Sequence, residues 1–170
     1  MKYNKSLTFW DECHRECNCG SYALNLNEWY HPGDLCGHGT EDSAGWFLAD
    51  QDPYYTDDEL ADMLAEYYID HLLEDFGDSI SMPSLDEPEV IPNGEELIAF
   101  RAGAYRFGED SDECDYDFHF KVYRDGDWFE KMGSDDIQRT SINDWCNSCM
   151  YYNSQTFYFT HKWSENLTNS

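Results

Sequence analysis

Between Thr56 and Phe76 the apolar positions recur at helical spacing. Leu60, Met63, Leu64, Tyr67, Tyr68, Leu72 and Phe76 fall on one stripe of TDDELADMLAEYYIDHLLEDF, which predicts an amphipathic helix. Thr56 with Glu59 three residues on makes a capping box that satisfies backbone donors in the first turn, and Gly77 supplies the stop. Nearer the start, SYALNLNEWY (21–30) contains no Gly or Pro, and Tyr22, Leu26 and Trp29 are spaced to share a face, so a helix opening at Cys19 is expected. HPGDLCGHGTEDSAG (31–45) is glycine-rich and reads as a loop. Residues 78–95, with Pro83, Pro88 and Pro92, read as another.

Further on, the period changes from that of a helix to that of a strand. Leu97–Arg101 and Thr156–Trp163 have strand composition, and DFHFKVYRDGDWFEK (117–131) reads as a hairpin about Asp125-Gly126. A two-residue turn there sets Arg124 opposite Asp127 and Lys121 opposite Glu130. Phe118, Phe120, Val122 and Phe129 then share a core face, while His119, Lys121, Tyr123, Trp128 and Glu130 share the other. Helices preceding strands predict an α+β fold in one domain, with two helices packed on an antiparallel sheet. The helical part is expected over about 18–77, a loop over 78–95 and the sheet part over about 96–165.

Charge narrows the classes of function. The 170 residues hold 36 acidic against 10 basic side chains, a formal net charge of −26. That balance argues against direct contact with nucleic acid or an anionic membrane, both of which need clustered Lys and Arg. A basic protein or a nucleic-acid-binding protein is the natural partner. Asp58, Glu66, Asp70 and Glu74 on the long helix, with Asp110 and Asp112 in the acidic run 109–117, form the candidate binding surface. A merely solvated acidic surface is the bland counterpart. An aromatic content of 17% sets the chain apart from a disordered acidic tail. No run approaches the roughly 20 apolar residues of a membrane span. The opening MKYNKSLTFWDECHREC lacks an apolar stretch and a small-residue cleavage site, so no signal peptide is expected. The seven cysteines, an odd number, are expected to be reduced in a cytoplasm, which leaves the Asn166-Leu167-Thr168 sequon without meaning.

Three residues carry the candidate chemistry. A thiol at a helix N-terminus is favoured as thiolate by the dipole and free N–H groups, which makes Cys19 the candidate nucleophile. The hairpin register makes His119 and Glu130 diagonal neighbours roughly 7 Å apart, close enough for a carboxylate to orient an imidazole. Nucleophile, base and orienter are then all present. The competing reading has Cys19 as a small buried residue and His119 as a satisfied histidine. Cys146-x-x-Cys149 has zinc-knuckle spacing, with Cys13, His14, Cys17, Cys36 and His38 as further donors. Without a second CxxC, scattered thiols explain it more simply, and no metal or cofactor is expected. EDSDECDYD (109–117) lacks the glycine and distal glutamate of a calcium loop and reads as a solvated charge run.

NCGSYAL (18–24) resembles the NC-x-x-YAL nucleophile segment of bacterial and phage papain-like cysteine hydrolases, broadly the NlpC/P60-like group. DFHFKVYRDGDWFEKMG (117–133) resembles their later YHFYRQ…DG-x-W-x-HK-x-G segment. The resemblance implies Cys19 as nucleophile, His119 as base and a third residue from the second hairpin strand. It also implies a cysteine hydrolase of amide or isopeptide bonds. The chain departs from the pattern in placing Glu130 where the group has His before Lys131, in its acidity, and in carrying no wall-binding repeat. The alternative is a non-enzymatic acidic protein that mimics nucleic acid and inhibits a defence or restriction enzyme.

Overall fold

The computed structural model describes residues 17–26, 28–39, 41–107 and 114–162. Among the described residues three α-helices come first: α1 (Cys19–Ala23), α2 (Glu41–Ala49) and α3 (Asp57–Phe76). Five strands follow: β1 (Glu95–Arg106), β2 (Cys114–Arg124), β3 (Asp127–Lys131), β4 (Ile137–Thr140) and β5 (Phe157–Lys162). They form one antiparallel sheet in the order β4-β3-β2-β1-β5, with the helices packed against it, so the fold is α+β. No helix among the described residues is long and apolar enough to cross a membrane.

The long helix forms as its sequence dictates. Thr56 accepts the Glu59 N–H and Glu59 accepts the Thr56 N–H, closing the capping box, and Gly77 ends the helix at φ 52°. Its buried stripe, Leu60, Leu64, Tyr68 and Leu72, packs into a core with Ile98, Phe100, Phe118, Phe120 and Val122.

Two local expectations fail. The helix opening at Cys19 stops after five residues instead of running towards Trp29, because Asn25 takes a left-handed conformation (φ 58°) that turns the chain. Its side-chain amide is occupied by Glu96, and its Oδ1 by Arg124. Within the 31–45 loop, residues from Glu41 onward belong to α2, which buries Ala44 and Leu48 beneath a Gly45 packed close to Tyr116. Glycine content hid the first of those core positions, Ala44.

The hairpin has the expected register: Arg124 opposite Asp127 and Lys121 opposite Glu130. Asp125 and Gly126 have φ of 52° and 83°, the two left-handed residues of a primed turn whose twist matches that of the strands. Phe118, Phe120 and Val122 accordingly face the helices. The opposite face is also covered. Trp145 and Tyr152, from the segment between β4 and β5, pack on Leu97, Ala99 and Trp128 there. That segment lies so close to β1 that a Cβ on Gly103 would stand 2.5 Å from the Met150 sulfur. His119, Lys121 and Glu130 are therefore sandwiched between two layers.

The turn generates a prediction. Space beside Gly126 is open, so Gly126→Ala meets only the backbone cost of a left-handed alanine. Urea denaturation should show a loss of about 1–2 kcal/mol, whereas unchanged stability would mean that the turn does not constrain the hairpin.

Candidate active site

Asn18 sets the entrance to α1. Its Oδ1 accepts the Ser21 N–H at 3.0 Å and the Tyr30 N–H at 3.2 Å, while its amide donates to the Tyr30 carbonyl at 2.6 Å. These bonds hold Cys19 at the helix start, against β2. There the thiol faces the Phe118 carbonyl at 4.0 Å. The helix brings Cys19 to the sheet but does not make it acidic. Burial, first, and the Asp117 charge, second, push the thiol up to about 12, against the lowered value its helix-terminal position suggests. A five-residue helix has little dipole to set against full desolvation, and the Ser21 N–H is already taken by Asn18. The resting group is a neutral thiol.

The second half of the site lies on the hairpin. His119 Nε2 is 2.8 Å from Glu130 Oε2, and both side chains are buried. An ionised carboxylate only accepts, so Nε2 carries the hydrogen, and in the neutral ring Nδ1 keeps the lone pair. The imidazole is clamped further by Tyr152, stacked at 5.2 Å between centroids, and by the edge of Trp145. Glu130 also accepts from Gln138 and lies 3.6 Å from the Lys121 ammonium. Burial alone would raise its carboxyl, but the hydrogen bond and charge of His119, with the charge of Lys121, outweigh it and hold the group below the usual glutamate range. Lys121 is itself pulled down by burial although Glu130 opposes the shift, and it donates to Thr140 and to the Ser141 and Asp144 carbonyls.

Cys19 and His119 open on one cavity of about 500 Å³. Its wall also includes His31, Tyr68, Asp117, Asp135 and Tyr152. Some of these were not singled out from the sequence. His31, held through Nδ1 at 3.0 Å from the Pro32 carbonyl, stands edge-on to Phe118 and Tyr68. Asp117 belongs to the run read as solvated charge, yet it is half-buried, with its carboxyl raised by desolvation despite bonds from the Phe118 N–H and the Tyr152 hydroxyl. Its burial comes from packing against Tyr152, which has no signature in the sequence around Asp117.

The other candidate residues are dispersed. Asp58, Glu66, Asp70 and Glu74 are exposed along α3, where Asp58 accepts from Asn153 and Glu74 pairs with His38. Asp110 and Asp112 lie outside the described residues, as do Cys13 and His14. Cys146 and Cys149 are exposed, Cys17 is buried, and none of the three gathers a metal-ligand cluster among the described residues. Comparisons of the chain with protein-family models, curated proteins and solved structures find no match.

The Glu130 pair generates a pH prediction. A carboxyl whose folded pKa is depressed adds stability above its ordinary value, about 4.5, and loses it as pH falls through the lower folded value. Glu130→Gln should therefore cost about 3 kcal/mol at neutral pH, the scale of a broken buried pair, and progressively less in acid. Denaturation of wild type and variant across a pH series checks this as a difference, so that general relief of charge repulsion cancels. A penalty that stays constant down to pH 3 would contradict the pairing.

Proposed function

We propose that the protein is a cysteine hydrolase that cleaves an amide or isopeptide bond, with Cys19 as nucleophile, His119 as base and Glu130 as its orienter. The observation that carries this reading is the shared cavity, onto which a thiol and an imidazole both open while a buried carboxylate fixes Nε2 of that imidazole. The NlpC/P60-like resemblance of the two segments supports it, as does the packing of the Cys-bearing helix α1 against β2, the strand that carries His119. Because the resting thiol is neutral, its proton leaves as attack begins. Sγ bonds to the carbonyl carbon while His119 Nδ1 takes the thiol proton, and Glu130 stabilises the resulting imidazolium. The imidazolium then protonates the departing amine. Water, deprotonated by the same nitrogen, then adds to the thioester carbon, the C–S bond breaks to release the carboxylic acid, and the imidazolium returns its proton to Sγ.

Acidity favours a second role for the surface. Arg101, Arg106, Lys121, Arg124 and Lys131 all spend their donors on the fold, on Tyr152, Pro53, Ser141, Glu96 and Cys17 among others. The outer face of α3 is left to carboxylates. Such a face suits a basic or nucleic-acid-binding protein, as substrate or as the target of a non-enzymatic nucleic-acid mimic.

A reactive ester separates catalysis from mimicry. With p-nitrophenyl acetate, peptide mapping should find acetyl on buried Cys19, formed at least about a hundredfold faster than in His119→Ala, the lower end of a general base's contribution. The exposed Cys146 and Cys149 act as internal controls. Acetylation confined to those two would overturn the hydrolase and leave the mimic.

A further inference from the structure

A cluster of donors outside the cavity has no part in that chemistry. Residues 31–39 form a loop whose two ends touch: a Cβ on Gly33 (φ 102°) would lie 2.5 Å from the Gly39 Cα, so only glycine permits the closure. The closed loop is tied down from below. Asp75, in the last turn of α3, accepts the Gly33 N–H at 2.7 Å, the Cys36 N–H at 2.9 Å and the Tyr30 hydroxyl. That anchoring sets Cys36 and His38 over Glu74, the neighbour of Asp75 in α3. One donor atom each from Cys36, His38 and Glu74 lies within 4.8 Å of the others, and His38 Nδ1 is 2.6 Å from Glu74 Oε2.

We propose that Cys36, His38 and Glu74 form a binding site for a divalent transition-metal ion of the zinc class. Exposed carboxylates alone are commonplace on so acidic a chain, but a thiol, an imidazole and a carboxylate converging on one point are the donors zinc selects. Tetrahedral zinc bond lengths separate such donors by roughly 3.3–3.6 Å, within reach of small side-chain rotations from the observed spacing. Thiolate and carboxylate together neutralise the dication. The C-terminal end of α3, with no basic residue in its last turn, adds negative potential. Three protein ligands leave the fourth position to water. The exposure of His38 and Glu74, 71% and 52%, makes that position accessible to small ligands. The site differs from the CxxC arrangement, since Cys146 and Cys149 take no part in it.

Cobalt(II) reports on such a site directly, through the near-ultraviolet charge-transfer band of a cobalt–thiolate bond. Titration of the full chain under reducing conditions should produce this band, and zinc(II) should bleach it. Cys36→Ser should abolish it, and His38→Ala and Glu74→Gln should each weaken binding by at least about tenfold, the least that loss of even an outer-shell partner costs such sites. Cys146→Ser/Cys149→Ser should leave it unchanged. Circular dichroism identical to wild type verifies that each variant is folded. Absence of the band in the wild type, its survival in Cys36→Ser, or its loss in the Cys146/Cys149 variant would each overturn the proposal.

Discussion

A two-residue turn at Asp125-Gly126 sets the register on which the candidate site depends. Side chains alternate along a strand, so a slip of one residue would carry His119 from the Glu130 face into the helical core and turn Phe118 and Phe120 away from it. The register is secured twice, once on each side of the sheet. Towards the helices it buries the phenylalanines, and towards the 141–155 segment it pairs Lys121 and His119 with Glu130. Misplacing either set would strand buried charges, a far larger penalty than the turn itself carries.

The same wiring shapes the surface. Lysines and arginines in a chain of net charge −26 would ordinarily be expected outside, moderating repulsion. Here Lys121, Arg124 and Lys131 are buried, and Arg124 bridges Glu96 to the Tyr22 and Ala23 carbonyls at the end of α1. Cations thus serve as internal rivets between helix, strand and loop. The cost is an outer face of α3 that carries carboxylates and no lysine or arginine. On that face Glu74 converges with Cys36 and His38.

Elements with strong local signals were legible in the sequence. The stripe and caps of α3, the alternation of β2 and the Asp125-Gly126 turn each prescribe one conformation, and from them the His119–Glu130 contact could be deduced. Cys19 could be placed at a helix start but its acidity could not, since desolvation depends on Phe118, Phe120 and the rest of a core assembled from distant segments. Asp117, His31 and Tyr152 were invisible for the same reason: the cavity they line is made by packing, not by spacing. The second buried face was also hidden. It is supplied by the 141–155 segment, whose Trp145 and Tyr152 follow no regular period.

The role proposed for His119 requires its Nδ1 to be the unprotonated nitrogen of the neutral ring. Nitrogen-15 NMR of the imidazole, assigned through loss of the signal in His119→Ala, reads this directly. With Glu130 ionised and accepting from Nε2, neutral His119 must be the Nε2–H tautomer, its Nδ1 showing the shift of an unprotonated nitrogen. A protonated Nδ1 in the neutral ring would place the lone pair towards Glu130. It would remove the base from the cavity and contradict the assignment of His119.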